Sequence, residues 1–278
     1  MYDSTGRVVY VARAELYNLT ADMALDFNAG DIQPDWQADD DDQQIRNQVT
    51  ASRPGGSTGA TYTQTAGPRG TGAIGFYSES LSVNVADDAQ LYTHAGWRVG
   101  LGTVDDFRLP QIPLNFARSP GLITSWLAAG IGSRITAANP PSELPGGTLD
   151  LQVVGYSEYI TPRNWAAVLN TVPNRPYTVI VLDGSANTSR LETGGSKLSG
   201  AHNSTTTSLS VEVTGTALWD TSDEPWDIDI GGEQITVTAV TGASSPQTFS
   251  VTRSVNGVTK SHSDDAAISL WRPSVLAL

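Results

Sequence analysis

Hydrophobic and polar residues alternate along much of the chain, and this period-two pattern predicts β-strands. Such alternation brings β-branched and aromatic side chains to one face of a strand, where they can be buried. Before residue 184 the pattern predicts strands over residues 7–14, 45–53, 59–65, 76–85, 149–153 and 176–181.

The same alternation returns at closer spacing in residues 208–278. Its apolar positions are Leu209, Val211 and Val213, then Ile228 and Ile230, then Ile235, Val237 and Ala239, then Phe249 and Val251, and last Ile268 and Leu270. Gly231-Gly232 and Asn256-Gly257 lie between such runs and predict two-residue hairpin turns. We therefore expect a small antiparallel β domain.

Two short helices interrupt the first part of this pattern. One follows Asp87-Asp88 and the other begins at Ser119-Pro120, since acidic caps and an early proline favour helix starts. The first carries Leu91, Ala95 and Trp97, and in the second Leu122, Ile123, Trp126 and Leu127 fall on one face. We expect Trp97 and Trp126 to be packed residues.

The sequence thus predicts a mainly β protein with two β domains, sandwich- or barrel-like, and two short helices in the first domain. We expect a strand-containing N-terminal segment over residues 1–35 and a β domain with short helices over residues 36–183. Residues 184–207 are rich in Gly, Ser, Thr and Asn and predict a linker, which places the second domain at residues 208–278.

Composition narrows the class of protein. The chain has 278 residues, enough for two domains with their own cores, and its zero cysteines exclude disulfides and thiol chemistry. The 16 basic and 29 acidic residues give a net charge of −13 without a basic patch, so we expect no nucleic-acid partner. No apolar run approaches the roughly 18 residues of a membrane span, and no signal peptide is visible.

The sequence nominates no catalytic residue and no cofactor. His94, His202 and His262 lack a second histidine at metal-ligand spacing, so we interpret them as surface or hydrogen-bonded imidazoles. Neither a nucleophile elbow nor a phosphate-binding loop is present. We therefore expect a protein that is not an enzyme and holds no metal.

Four consecutive aspartates at 39–42 form the strongest acidic feature. A calcium loop alternates its ligands and bends at a glycine, and this run does neither. A solvated loop is favoured, and adventitious Ca²⁺ binding is the alternative.

Three of the seven tryptophans are candidates for contact with a glycan. Trp219 and Trp226 flank a polar segment and are the pair that we expect to be most exposed, and Trp271 lies near the C-terminus. Exposed tryptophan rings can stack on sugars. This observation favours, as an alternative function, a secreted carbohydrate-binding β-sandwich module.

Several segments resemble the later part of minor tail proteins of long-tailed phages that infect actinobacteria, which are tail-tip hub or baseplate components. The segments are 41–57 (DDQQIRNQVTASRPGGS), 80–85 (SLSVNV), 87–90 (DDAQ), 95–97 (AGW), 108–110 (RLP), 155–165 (GYSEYITPRNW), 227–242 (DIDIGGEQITVTAVTG) and 249–262 (FSVTRSVNGVTKSH). The last two are similar to a β domain that such tail proteins often carry. Hub proteins of this kind are generally longer, so we expect a fragment of a hub or a reduced relative.

This resemblance implies a structural, non-enzymatic component of the virion, outside the cell. The partners that it implies are other tail proteins, further copies of the chain in a trimer or hexamer, and a host cell-wall glycan. A cell-wall hydrolase is the least favoured alternative, because it needs a pair of facing carboxylates that the sequence does not nominate.

Overall fold

The fold of the chain, taken from a computed structural model, is mainly β, as the sequence predicts. The structure describes residues 7–39, 42–56, 58–142, 144, 147–181, 195–214, 217–221, 224–271 and 273–274. The chain divides into two compact units, which are Met1–Ala138 with Leu149–Tyr177, and Asn139–Thr148 with Thr178–Ala277.

Strands dominate the described part of the first unit. The strands are β1 (Ala21–Asp26), β2 (Gln37–Asp39), β3 (Gln48–Ser52), β4 (Ala60–Thr63), β5 (Ser78–Ser82), β6 (Arg108–Asn115), β7 (Arg134–Ala138), β8 (Leu149–Thr161) and β9 (Asn164–Pro173). The α-helices are α1 (Thr71–Ile74), α2 (Ala89–Gly102) and α3 (Ile123–Ala128). Short 3-10 turns cover Arg13–Leu16, Asp42–Gln44, Pro120–Leu122 and Arg175–Tyr177.

A six-stranded sheet forms the larger part of this unit, in the order β1-β7-β8-β9-β6-β2. Strands β1 and β7 run parallel, and the other neighbours are antiparallel. The apolar positions Leu109, Ile112 and Leu114 of β6 are buried, as are Leu151 of β8 and Leu169 of β9. The centre of the sheet therefore carries the core.

A second, three-stranded sheet has the order β4-β3-β5, and α2 packs against one of its faces. Val49 and Ala51 of β3 meet Leu91, Ala95 and Val99 of the helix in a fully enclosed cluster. The apolar residues of α2 recur at the helical spacing that buries one face. The helix was expected to be short, and with 14 residues it is longer than that.

The second unit contains a closed antiparallel barrel. Its strands are β10 (Ser196–Leu198), β11 (Ser208–Val213), β12 (Trp226–Ile230), β13 (Glu233–Thr241), β14 (Gln247–Thr252) and β15 (Ala267–Leu270). They close in the order β10-β11-β14-β13-β12-β15, so each described strand has two neighbours. The alternation predicted for Ile228, Ile230, Ile235 and Val237 is confirmed, because all four are buried in the barrel core. Gly231-Gly232 forms the predicted hairpin turn, with φ of 58° and 88°.

Two of the strands predicted before residue 184, those over residues 7–14 and 176–181, are wrong. Residues 7–14 contain a single-residue β-bridge at Val8 and then enter a 3-10 turn at Arg13–Leu16, and Val8 and Tyr10 are 76% and 91% exposed. Residues 176–181 begin in another 3-10 turn, Arg175–Tyr177, where Pro176 has no N–H to give to a neighbouring strand.

The structure also differs from the hairpin predicted at Asn256-Gly257 and from the C-terminal end of the linker predicted at residues 184–207. Ser254 to Gly257 is a turn within a loop, and the Asn256 side chain is buried, where it accepts from the Gln234 N–H and donates to the Gly232 carbonyl. Strand β10 lies inside the segment predicted as linker and pairs with β11 and β15. Residues 184–194 lie outside the described residues.

We predict that alanine at two different glycines of α2 changes the free energy of unfolding in opposite directions. A Cβ at Gly102 would lie 2.7 Å from both the backbone N and O of Arg46, whereas a Cβ at Gly100 would meet nothing within 4 Å. We expect Gly102→Ala to lower the free energy of unfolding by about 1–3 kcal/mol through overpacking. We expect Gly100→Ala to raise it by roughly 0.5–1 kcal/mol, because alanine favours the helix. Urea unfolding measures both, and equal effects of the two substitutions would contradict the packing of α2 on the loop before β3.

Candidate functional site

Trp226 belongs to the buried core of the barrel, and Trp219 is partly buried and packs against that core. Their rings stack with centroids 4.6 Å apart and planes 13° apart, and both meet Phe249 edge to face. Trp226 is 8% exposed, and Trp219 Nε1 donates to Ser196 Oγ at 2.9 Å. The prediction that the two rings form an exposed pair is wrong, because Trp226 is buried and each ring covers one face of the other. A glycan contact at either residue stays a prediction.

Trp271 is half-buried just after β15, and its backbone N–H donates to the Asp227 carbonyl at 3.0 Å. A glycan contact at Trp271 stays a prediction.

A buried ionic cluster at one end of the barrel, which we call the Glu233 cluster, joins Glu233, Arg253 and His262. Arg253 donates from Nε to Oε1 of Glu233 at 2.8 Å and from Nη2 to Oε2 at 2.7 Å. His262 Nε2 lies 2.8 Å from Oε2, and the backbone N–H of Ser254 donates to Oε1 at 3.1 Å. The side chain of Glu233 is 0% exposed and those of Arg253 and His262 are 6% and 4% exposed.

The environment of Glu233 favours its charged form. Burial by itself would raise the pKa of this carboxyl, but the hydrogen bonds from Arg253 and His262 outweigh burial and lower the pKa. Both carboxylate oxygens are occupied and no face of the side chain reaches solvent. The cluster therefore stabilises the barrel and has no position for a substrate.

The same arginine also anchors the loops around the cluster. Arg253 donates from Nη1 to the carbonyls of Asn203 and Thr206 at 3.0 and 3.2 Å, and from Nη2 to the carbonyl of Lys260 at 2.7 Å. The guanidinium thus connects strand β14 to two separate loops. Removing its carboxylate partner would leave a buried charge beside these contacts.

The two barrel histidines pair through their backbones. The N–H of His202 donates to the carbonyl of His262 and the reverse bond is also made, both at 2.9 Å. Burial, and then the charge of Arg253, lowers the pKa of His202, whose Nε2 accepts from the Ser210 N–H at 3.3 Å. Both imidazoles are hydrogen-bonded, as the sequence predicts, and His94 of α2 is exposed.

The part of the chain that the structure describes contains no group of three or more His, Asp or Glu residues arranged to hold a metal ion. Asp39 ends β2 and Asp42 begins a 3-10 turn, while residues 40 and 41 lie outside the described residues. The solvated loop expected at residues 39–42, with adventitious Ca²⁺ binding as the alternative, therefore stays a prediction.

One groove of about 390 Å³ lies beside β2 and β6. The residues that line it are Asp35, Gln37, Ala38, Asp39, Pro110 and Gln111. Asp35 and Asp39 are the two carboxylates among these residues.

An aromatic cluster supports the hairpin that β8 and β9 form. The Trp126 ring of α3 meets Tyr156 of β8 edge to face at 5.1 Å, and Phe116 contacts the rings of Trp126 and Trp165 at 5.4 and 4.9 Å. Glu158 Oε1 accepts from Trp126 Nε1 at 3.0 Å and from Trp165 Nε1 at 2.6 Å. The sequence prediction that Trp126 is a packed residue is confirmed, because it is 7% exposed.

The outer part of this hairpin exposes apolar side chains. Val154 and Tyr156 are each 48% exposed, Tyr159 is 64% exposed and Ile160 is 66% exposed. Four exposed apolar side chains thus lie within one short stretch of β8, and exposed apolar surface is a common feature of interaction sites. The described helices include none that is both long and apolar enough to cross a membrane.

Comparison with known proteins finds likeness in structure alone. No protein-family model and no curated protein sequence matches the chain. The chain is similar to the crystal structure of the prophage MuSo2 43 kDa tail protein from Shewanella oneidensis, at 14% identity and a TM-score of 0.41 over 63% of this chain and 47% of that one. It is also similar to a tail protein from Neisseria meningitidis MC58, at 12% identity and a TM-score of 0.37 over 56% of this chain and 45% of that one. The chain thus spans slightly less than half the length of either structure.

The Glu233 cluster predicts a large and pH-dependent loss of stability on Glu233→Gln. The variant leaves the buried Arg253 without a counter-charge, so we expect the barrel to lose about 3–5 kcal/mol at pH 7. Because the pKa of Glu233 is lowered in the folded protein, its contribution is complete above the unfolded pKa of 4.5 and is lost as the pH falls through the folded value. Chemical unfolding from pH 7 to pH 3 should therefore bring the variant and the natural protein closer together as the solution becomes acidic.

Glu212→Gln is the matched control in the same barrel. Glu212 is 3.7 Å from Lys197 and its side chain is 44% exposed, so its loss should cost about 1 kcal/mol or less. An equally small effect of Glu233→Gln would contradict the role of the Glu233 cluster.

Proposed function

We propose that the chain is a non-enzymatic structural protein of a phage tail, situated at the tail tip or baseplate. The observation that carries this proposal is the series of sequence segments, spread over both units, that resemble minor tail proteins. The segments 155–165 and 227–242 coincide with the β8–β9 hairpin and with the β12–β13 hairpin of the barrel.

A closed barrel is a suitable fold for a domain that is attached to a larger protein assembly such as a phage tail. Each described barrel strand pairs on both sides, so the barrel offers no free edge for unplanned association. The buried Glu233 cluster fastens one end of the same barrel. A module built in this way can be exposed on the outside of a particle without joining its neighbours.

The six-stranded sheet offers the surface for assembly. The exposed apolar stretch of β8 is the kind of surface that a partner protein covers. Other tail proteins are the partners that we propose, and the trimer or hexamer expected from the resemblance forms part of the same proposal. Contact with a host cell-wall glycan is also part of it, with Trp271 as the candidate residue.

The alternative of a carbohydrate-binding module has less support. Its sequence argument depended on exposed rings, and the stacked pair Trp219–Trp226 is packed against Phe249 instead.

Immunogold electron microscopy of particles from the phage that encodes this chain tests the proposal. An antibody against the barrel should label the distal end of the tail in purified particles, and serum from before immunisation should not. If the protein is present in the lysate but absent from purified particles, the proposed function is wrong.

A further inference from the structure

Strand β8 is longer than the neighbour on one of its sides. Strand β7 pairs with β8 only over Leu149–Gln152. The last backbone contacts on that side are two hydrogen bonds of Val153. Its carbonyl accepts from the Gly132 N–H at 2.7 Å, and its N–H donates to the Ser133 carbonyl at 2.9 Å. From Gly155 to Thr161, β8 pairs with β9 and with no other strand in the described residues. One edge of this stretch therefore presents backbone N–H and carbonyl groups without a strand beside them.

This open edge carries few of the features that usually protect one. Proteins commonly block an exposed edge with lysine, proline, a β-bulge or a covering element. A bulge lies at the start of this stretch, between Val153 and Gly155. Residues 154–161 read VGYSEYIT and contain no basic residue and no proline. Their one carboxylate, Glu158, is held by the indole N–H groups of Trp126 and Trp165.

We propose that this edge of β8 pairs with the same edge of a second copy of the chain. The two strands would run antiparallel about a two-fold axis that passes beside Ser157. Pairing of this kind satisfies the backbone groups of both edges at once, and it covers the exposed side chains of Tyr159 and Ile160.

The side chains along this edge favour a two-fold axis at Ser157 over the other possible axes. Antiparallel pairing about a two-fold axis places one residue opposite itself, so the choices are a few single residues. An axis at Glu158 would set two carboxylates opposite each other, which is destabilising. An axis at Tyr156 would require the edge of Val153, which is already bonded to residues 132 and 133, and an axis at Tyr159 would set Ile160 against Glu158.

An axis at Ser157 keeps the two carboxylates apart and leaves the bonded edge of Val153 untouched. It sets Glu158 opposite Tyr156 of the second copy, and Gly155 opposite Tyr159, an aromatic side chain that can cover the glycine. Val154 is the extra residue of the β-bulge between Val153 and Gly155 and lies outside the paired stretch.

The association should be weak and should depend on concentration. A short strand pair buries less area than the roughly 1,600 Å² of a standard interface. Each copy also carries a net charge of −13, so repulsion opposes contact and added salt should strengthen it. This contact goes beyond the proposed function and narrows it, because two-fold pairs can build a hexamer from three dimers but cannot build a trimer.

Sedimentation equilibrium over a range of protein concentrations tests the edge. We expect a monomer–dimer equilibrium in the natural chain and a dissociation constant raised about tenfold or more by Tyr159→Lys combined with Ile160→Lys. The matched control is Val8→Lys combined with Tyr10→Lys, which makes the same charge change at residues that are 76% and 91% exposed and should leave the constant unchanged. A natural chain that stays monomeric, or an association that both double variants alter equally, would overturn the proposal.

A single cysteine tests the register, because the natural chain contains none. Ser157→Cys should form a disulfide-linked dimer on mild oxidation, since directly opposite residues have Cβ atoms about 4.5–5.5 Å apart. Tyr159→Cys is the control, because the two copies of this position would lie about 13 Å apart along the strands. Cross-linking of both variants at the same rate would overturn the two-fold pairing at Ser157, and it would leave the tail-protein proposal to be tested on particles.

Discussion

Backbone hydrogen bonding at strand edges is the constraint on which the rest of this structure depends. A strand that is not paired on both sides leaves polar groups available to another chain. The barrel resolves this by closure, with β10 joined to both β11 and β15. The six-stranded sheet is open, so its outer strands β1 and β2 pair on one side only, and within it β8 continues beyond β7. The two units therefore differ in what they offer to a partner.

The packing inside each unit fits this difference between a closed barrel and a sheet with an open strand edge. In the barrel, Trp226 lies in the core with Trp219 stacked on it, and the Glu233 cluster ties Arg253, directly after β14, to the surrounding loops. In the hairpin, Trp126 and Trp165 hold Glu158 on one side, so the strand is firmly supported although its edge is open. A rigid edge loses little conformational freedom on pairing, which favours its use as a contact.

The sequence predicted the barrel better than the six-stranded sheet, for a physical reason. Barrel strands bury one face, so alternation such as Ile235–Val237 reveals them. Strand β9 carries a continuous apolar run with partners on both sides, and β6 contains Pro110 and Pro113, which normally argue against a strand in the middle of a sheet. Glu233 shares the inward face of Ile235 and could have been identified as buried, but its partners lie 20 and 29 residues away, a distance that no local pattern encodes.

Hydrogen exchange of the β8 amides at low and high protein concentration tests the central claim, that this edge is where the chain makes contact. The account predicts that amides of Gly155–Thr161 that point away from β9 exchange quickly when the protein is dilute and become protected when it is concentrated. Amides of the closed barrel should be protected equally in both conditions. If the outward amides of β8 exchange at the same rate at every concentration while the chain associates, the contact lies elsewhere and the account is contradicted.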